Sequence, residues 1–170
     1  MGGGITREVA QCPHANGFAW RLSIADIETE GAFSIFAGMS RILTVIDGDG
    51  LVLHHRGGDI EVPFCVPTGF SGDTEIRSEL RSGTIRDFNV IFDPTVVAAE
   101  VKVLDGPTTK TVTPVKGTIY GVYVLNGHLM CDGVSAEQGV FIQVTQSERV
   151  LQIADDSRLL LIRLTDLNLG

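Results

Sequence analysis

Basic residues are scarce in this chain: 13 Lys and Arg stand against 21 Asp and Glu, for a formal net charge of −8 at pH 7. No basic run occurs, and without clustered Lys and Arg to displace counterions from phosphates, nucleic acid is not an expected partner. Long apolar runs are missing as well. No stretch approaches the roughly 18 residues of a membrane span, and the amino terminus lacks the basic and hydrophobic regions of a signal peptide, so the expected compartment is the cytoplasm with no membrane contact. Cysteine is sparse. Cys12, Cys65 and Cys131 form no Cys-x-x-Cys pair and have no His at zinc-ligand spacing, which argues against a disulfide framework and a zinc site. They read as reduced, mostly buried small hydrophobes.

Sequences that commonly carry catalysis are also absent. There is no Gly-x-Ser-x-Gly elbow and no Gly-x-x-x-x-Gly-Lys loop, and Gly2 to Gly4 lack the preceding strand and following helix of a nucleotide site. The triple glycine therefore reads as a flexible or turn segment. His54 and His55 are neighbours, so in a regular strand they point to opposite faces and cannot share one metal. His14 and His128 are isolated. No metal and no cofactor are expected.

What the chain does contain is short runs of Val, Ile, Leu and Phe separated by turn residues, the pattern of an all-β sandwich or barrel. The best strands are Trp20 to Ala25, Arg41 to Asp47, Leu51 to His55, Arg86 to Phe92, Val96 to Leu104, Ile119 to Leu125, Val140 to Val144, Val150 to Ala154 and Arg158 to Leu164. Turns at Asp47-Gly48-Asp49-Gly50, Gly57-Gly58-Asp59, Asn126-Gly127 and Asp132-Gly133 supply residues that accept positive φ. A faint repeat relates Ile42 to Leu53 with Gly121 to Cys131, each a strand, a tight turn and a strand. Such a repeat suits two cupin-like jelly rolls, a bicupin of two small β-barrels with a boundary near Asp93-Pro94: residues 1–94 in the first and 95–170 in the second, degenerate one.

Polar residues interrupt these strands in a regular way. Alternation puts Arg21, Ser23 and Ala25 on one face of their strand, and Asp87, Asn89 and Ile91 on one face of theirs. Arg41 opens a third strand, and Thr6, Arg7 and Glu8 follow the glycines. If these segments converge they make a cationic, amide-rich pocket, because Arg holds a carboxylate through two parallel charge-assisted hydrogen bonds. The alternative is that Arg21, Ser23, Asp87 and Asn89 lie on the solvent face of half-buried strands. Phe18, Phe33, Phe36, Phe64 and Phe70 are candidates for an apolar wall or for core.

The segments Gly2-Gly3-Gly4-Ile5-Thr6-Arg7-Glu8, Trp20-Arg21-Leu22-Ser23-Ile24-Ala25, Gly31 to Arg41, Phe70-Ser71-Gly72-Asp73 and Asp87-Phe88-Asn89 resemble, in the same order, the motifs of the HutD/Ves family. Members are small bicupins often encoded with the enzymes of bacterial histidine utilisation. The departures are Ala32 and Ala37 at two positions where the family has proline, which should loosen that loop, and Met1 where it has Asn. The resemblance covers the first half of the chain. It implies no known catalytic activity, and a role in sensing or buffering an intermediate such as N-formylglutamate or urocanate. Carried over residue by residue, the expected ligand-binding set is Thr6, Arg7, Glu8, Arg21, Ser23, Arg41, Asp87 and Asn89, with Phe33, Ser34 and Phe36 as a neighbouring wall and no catalytic or metal residues. The expected partner is a small carboxylate, and a homodimer is compatible with the sequence. Two other readings stay open: a metal-independent isomerase or hydrolase with Glu8, Asp87 or a His as base, and a protein-interaction module.

Overall fold

The computed structural model describes residues 4–15 and 17–169. Every regular element among them is a β-strand, and none of the described residues forms a helix long and apolar enough to cross a membrane. By its internal contacts the chain divides into two compact units, the first ending at Thr95 and the second beginning at Val96.

The first unit holds β1 (Gly4–His14), β2 (Gly17–Ile27), β3 (Gly31–Ala32), β4 (Ser40–Asp47), β5 (Leu51–His55), β6 (Gly58–Val62), β7 (Thr68–Ser71), β8 (Arg77–Leu80) and β9 (Ile85–Phe92). They form two antiparallel sheets, ordered β1-β2-β9-β4-β7 and β3-β8-β5-β6. The second unit holds β10 (Val97–Asp105), β11 (Thr108–Val112), β12 (Thr118–Asn126), β13 (His128–Cys131), β14 (Val134–Glu137), β15 (Phe141–Val144), β16 (Arg149–Ile153) and β17 (Arg158–Asp166). Its sheets are β10-β17-β12-β15 and β11-β16-β13-β14. With β1 set aside, the first unit has the same strand order, with β2 in the place of β10 and β9 in the place of β17. Each unit is a jelly roll, and the first adds one edge strand.

The repeated hairpin occupies the same position in both, as β4–β5 and β12–β13. Each leading strand ends in a bulge, between Val45 and Asp47 and between Val124 and Asn126. A glycine in the left-handed region follows at once, Gly48 at φ 90° and Gly127 at φ 75°. At Gly48 a Cβ would lie 2.7 Å from the Thr84 carbonyl oxygen, so glycine meets both the dihedral and the space.

Leu43, Val45, Leu51, Leu53, Val62, Ile76 and Ile85 pack as an apolar core in the first unit. The second unit has a larger one that includes Val122, Val124, Leu129, Leu151, Leu159 and Leu161.

Two sequence expectations need correction here. The segment from Gly4 onward is not a turn but β1, paired along its length with β2, so backbone amides expected to be free are in part committed to that ladder; Gly2 and Gly3 lie outside the described residues. Of the three cysteines only Cys131 is buried. Cys12 is half-buried near the end of the edge strand β1, and Cys65 half-buried in a left-handed loop position at φ 57°.

Candidate functional site

Strand register decides which polar side chains meet. Across the first sheet, Arg21 on β2 pairs with Ile91 on β9, Ile91 with Arg41 on β4, and Arg41 with Phe70 on β7. The next row on the same face runs Glu8, Ser23, Asn89, Leu43, and the row after it Thr6, Ala25, Asp87, Val45. Directly opposed residues share a face, so Arg21 and Arg41 flank Ile91 two strand spacings apart, about 10 Å between Cα atoms. At its centre this face is not solvated. Ser23, Asn89 and Asp87 are 3%, 5% and 0% exposed, which overturns the solvent-face alternative for these three, while Arg21 is half-buried; β9 is buried on both sides.

Arg41 is 6% exposed. One terminal nitrogen, Nη2, donates to Asn89 Oδ1 at 2.8 Å, and Nη1 donates to the Ser34 carbonyl at 3.3 Å. Three rings surround the guanidinium, Phe33, Phe36 and Phe70, with centroids 5.2, 5.3 and 5.0 Å away. Burial lowers its pKa to about 10, with Asp87 opposing, so it stays charged at neutral pH. The loop carrying two of the rings is clasped by residues 72–76. Phe33 N–H donates to Ile76 O at 2.9 Å, Phe36 N–H to Gly72 O at 2.9 Å, Gly72 N–H to Met39 O at 2.7 Å and Gly38 N–H to Asp73 Oδ1 at 2.8 Å. A Cβ on Gly72 would stand 2.6 Å from the Phe36 carbonyl oxygen. The Phe70-Ser71-Gly72-Asp73 segment thus supplies a ring for Arg41, a close approach and a backbone anchor.

Asp87 closes the line of polar groups. Asn89 Nδ2–H donates to its Oδ1 at 2.5 Å, while Oδ2 is buried and has no hydrogen-bond partner among the described residues. Burial pushes its pKa up to about 7, against the opposing influence of Arg41's charge and the Asn89 hydrogen bond. Arg41 Nε is likewise buried without a hydrogen bond among the described residues. Arg21 Nε lies 3.4 Å from Glu8 Oε2, close enough for an ion pair but not aligned as a hydrogen bond.

These groups line a cavity of about 580 Å³ inside the first unit. Of the residues singled out from sequence, Thr6, Arg21, Ser23, Phe33, Ser34, Phe36, Arg41, Asp87 and Asn89 contribute to its wall. Arg7 and Glu8 do not. Arg7 opposes Ile24, on the other face, and reaches Asp26 at 3.7 Å from an exposed position; Glu8 is exposed beside Arg21. Phe18 and Phe64 are outside the lining, and Phe70 enters through Arg41. Asp26, Thr29 and Ser78 line the cavity without having been anticipated. Ser78 is buried on the short strand β8, where its hydroxyl donates to Gly31 O at 3.1 Å. Among the described residues no group of three His, Cys, Asp or Glu side chains could hold one metal ion. His54 is instead an exposed bridge, Nδ1 2.7 Å from Asp59 and Nε2 3.1 Å from Glu79.

The second unit shows what the same scaffold looks like without these groups. Asp47 opposes Arg86 just past the bulge, as Asn126 opposes Arg158, and stepping along the ladders matches Asp87 with Leu159, Asn89 with Leu161 and Arg41 with Tyr120. The shared features are kept: Arg86 Nε and Arg158 Nε each donate to an Asp Oδ1 at 2.5 Å, Asp26 and Asp105 respectively. The site is not. Leu159 and Leu161 belong to the apolar core of that unit, with Tyr120 packed against it, so a jelly roll of this register folds without the Arg, Asn and Asp.

The sequence model of the HutD family matches residues 1–162. The chain belongs to the HutD family. Among HutD relatives, a Pseudomonas putida protein described as an uncharacterized 21.2 kDa protein in the hutC 3′ region is 44% identical over 109 residues, 62% of this chain. The match spans 57% of that relative's length. Protein Ves of Cronobacter sakazakii is 32% identical over 146 residues, 84% of this chain and 78% of that protein. The structure of HutD from Pseudomonas fluorescens SBW25, described as a formate condition, superposes with a TM-score of 0.83 at 33% identity, covering 97% of this chain and 90% of that one. A cupin 2 conserved barrel domain protein from Leptotrichia buccalis, 10% identical, superposes with a TM-score of 0.61 over 96% of this chain and 88% of its own. That likeness is one of fold, and it makes this HutD chain cupin-like.

Proposed function

We propose that the cavity of the first unit binds a small carboxylate, and that this HutD-family protein senses or buffers such a metabolite in histidine catabolism without converting it. The observation that carries the reading is Arg41: a buried, charged guanidinium whose hydrogen bonds, among the described residues, go to an amide and a backbone carbonyl and not to a carboxylate. Burying a charge is costly unless it is paired, and an anion in the cavity supplies that pairing. Arg21 adds a second cation on the same face, and Ser23, Thr6 and Ser34 supply polar groups that orient a ligand. The second unit's Leu and Tyr at matching positions support a role for these residues beyond folding. The hutC-region and HutD names of the relatives support the metabolic context, and formate is itself the smallest carboxylate. Asp87, the carboxyl with a pKa suited to proton transfer, is wholly buried, which favours holding a ligand over converting it.

A thermal-shift screen with formate, N-formylglutamate, urocanate and glutamate tests the reading, because a ligand that binds the native state raises its melting temperature by mass action. A selective rise is expected. Arg41→Ala should weaken that binding by about 1.5 to 3 kcal/mol, the value of a hydrogen bond to a charged group. Unchanged affinity in a folded Arg41→Ala protein would refute the assignment.

A further inference from the structure

We propose that Asp87 is a positioning residue that makes anion binding proton-linked: an anion held on the Arg41 guanidinium draws a solvent proton onto Asp87 Oδ2. The inference rests on the carboxylate reading above and extends it to the wall behind the ligand.

The geometry is a three-residue relay. Arg41 Nη2–H donates to Asn89 Oδ1, and Asn89 Nδ2–H donates to Asp87 Oδ1, at 2.8 and 2.5 Å. An amide has one acceptor end and one donor end, so Asn89 is turned by Asp87 and in turn aims Arg41. Beyond the relay, Asp87 Oδ2 is buried with no hydrogen-bond partner among the described residues, a site at which a proton meets no competing donor. Asp87 contributes to the cavity wall yet is 0% exposed, so it acts on the ligand through Asn89 and Arg41.

The charges around Asp87 set the direction of coupling. Arg41 on β4 favours its ionised form, and Asp26 on β2 disfavours it. Asp26 is engaged by Arg86 at 2.5 Å and Arg7 at 3.7 Å, and Arg21 on β2 is balanced by Glu8 on β1 at 3.4 Å. From β8 the Ser78 hydroxyl faces the same cavity. Arg41 is thus the cation that favours the Asp87 anion, and a ligand anion offsets it. Asp87 then holds its proton more tightly, and by linkage the ligand binds more tightly where Asp87 is already protonated. Burial has brought this carboxyl to about pH 7, where the exchange takes place.

The test is an amide NMR titration of the protein with sodium formate, which stays ionised throughout, at intervals from about pH 6 to about pH 8.5. For the wild type the dissociation constant should rise about threefold or more across this range. Asp87→Asn keeps an oxygen for Asn89 but cannot take up the proton; it should bind formate as the wild type does at low pH and show no such rise. A carboxyl ¹³C titration of Asp87 in the wild type, with and without formate, guards against a variant that fails to fold. Formate should move that titration to higher pH. Formate binding that is independent of pH, a rise that persists in Asp87→Asn, or an unmoved Asp87 titration would overturn the coupling and leave the pocket standing. No formate binding at any pH would overturn the pocket reading and the coupling with it.

Discussion

Replacing Asp87 by Asn should make the protein more stable at alkaline pH and nearly unchanged at acid pH. The side chain has no exposed surface, and its pKa rises from 3.8 to about 7 on folding, chiefly through burial. The native state therefore binds the proton more tightly than the unfolded chain, so the stabilisation from protonation is full below about pH 4 and is lost as pH rises through about 7. Each tenfold gain in proton affinity is worth about 1.36 kcal/mol, so a rise of this size sets the scale at about 4 kcal/mol. Asn keeps the oxygen that accepts the Asn89 amide and is neutral at every pH, so the variant lacks this loss. The assay is urea unfolding followed by fluorescence of the single tryptophan, Trp20, which is buried on β2 in the same unit. Between about pH 4.5 and about pH 8.5 the stability difference between variant and wild type should move toward the variant by about 3 kcal/mol, the first part of the change falling below about pH 4.5. Parallel stability curves for the two proteins would refute the reasoning.

Copying the second unit's residues into the first, as Arg41→Tyr, Asp87→Leu and Asn89→Leu together, should abolish carboxylate binding while leaving stability at neutral pH equal or raised by about 1 to 4 kcal/mol, since apolar packing often replaces buried charge without loss; calorimetric melting checks the second part. Gly72→Ala places a methyl against the Phe36 carbonyl and should cost about 1 to 3 kcal/mol, visible as a lower melting temperature. Asp59 and then Glu79 raise the pKa of His54. The link should stabilise the protein below the ordinary His value of about 6.5 and fade as pH rises through the raised one, and proton NMR of the His54 ring should show a titration above that value.

Strands β2, β4 and β9 of the first sheet were legible because each carries a run of apolar β-branched, leucine or aromatic residues, and period two then put Arg21, Ser23, Asp87 and Asn89 on their faces. The repeat was legible through Asp47-Gly48 and Asn126-Gly127, where bulge and left-handed glycine leave a signature in both halves. The second sheet of each unit was harder. β11 reads Thr-Thr-Lys-Thr-Val and is exposed over four of its five residues, and β8 reads Arg-Ser-Glu-Leu, so neither has the apolar alternation that marks a strand. Ser78 was missed with its strand. β1 was hidden by its glycines and by a polar sequence that an edge strand tolerates. Arg7 and Glu8 were carried over from the family motif as neighbours in sequence, yet adjacent residues in a strand diverge, which sends Arg7 away from the cavity. Nothing in the sequence told that Phe70 would pair with Arg41, because that contact depends on register between β4 and β7.

The ring of Phe33, Phe36 and Phe70 has a thermodynamic consequence for any small anion. A flexible arginine loses side-chain freedom on binding, about 0.5 to 1.5 kcal/mol, but one held among three rings and two hydrogen bonds has lost it already during folding. Such preorganisation lets a very small ligand approach its ceiling of about 1.5 kcal/mol per heavy atom. For a three-atom carboxylate that ceiling corresponds to a dissociation constant near about 1 mM. A larger metabolite that also fills the rest of the cavity can bind in the micromolar range, so the volume beyond Arg41 sets the concentration scale at which the protein responds.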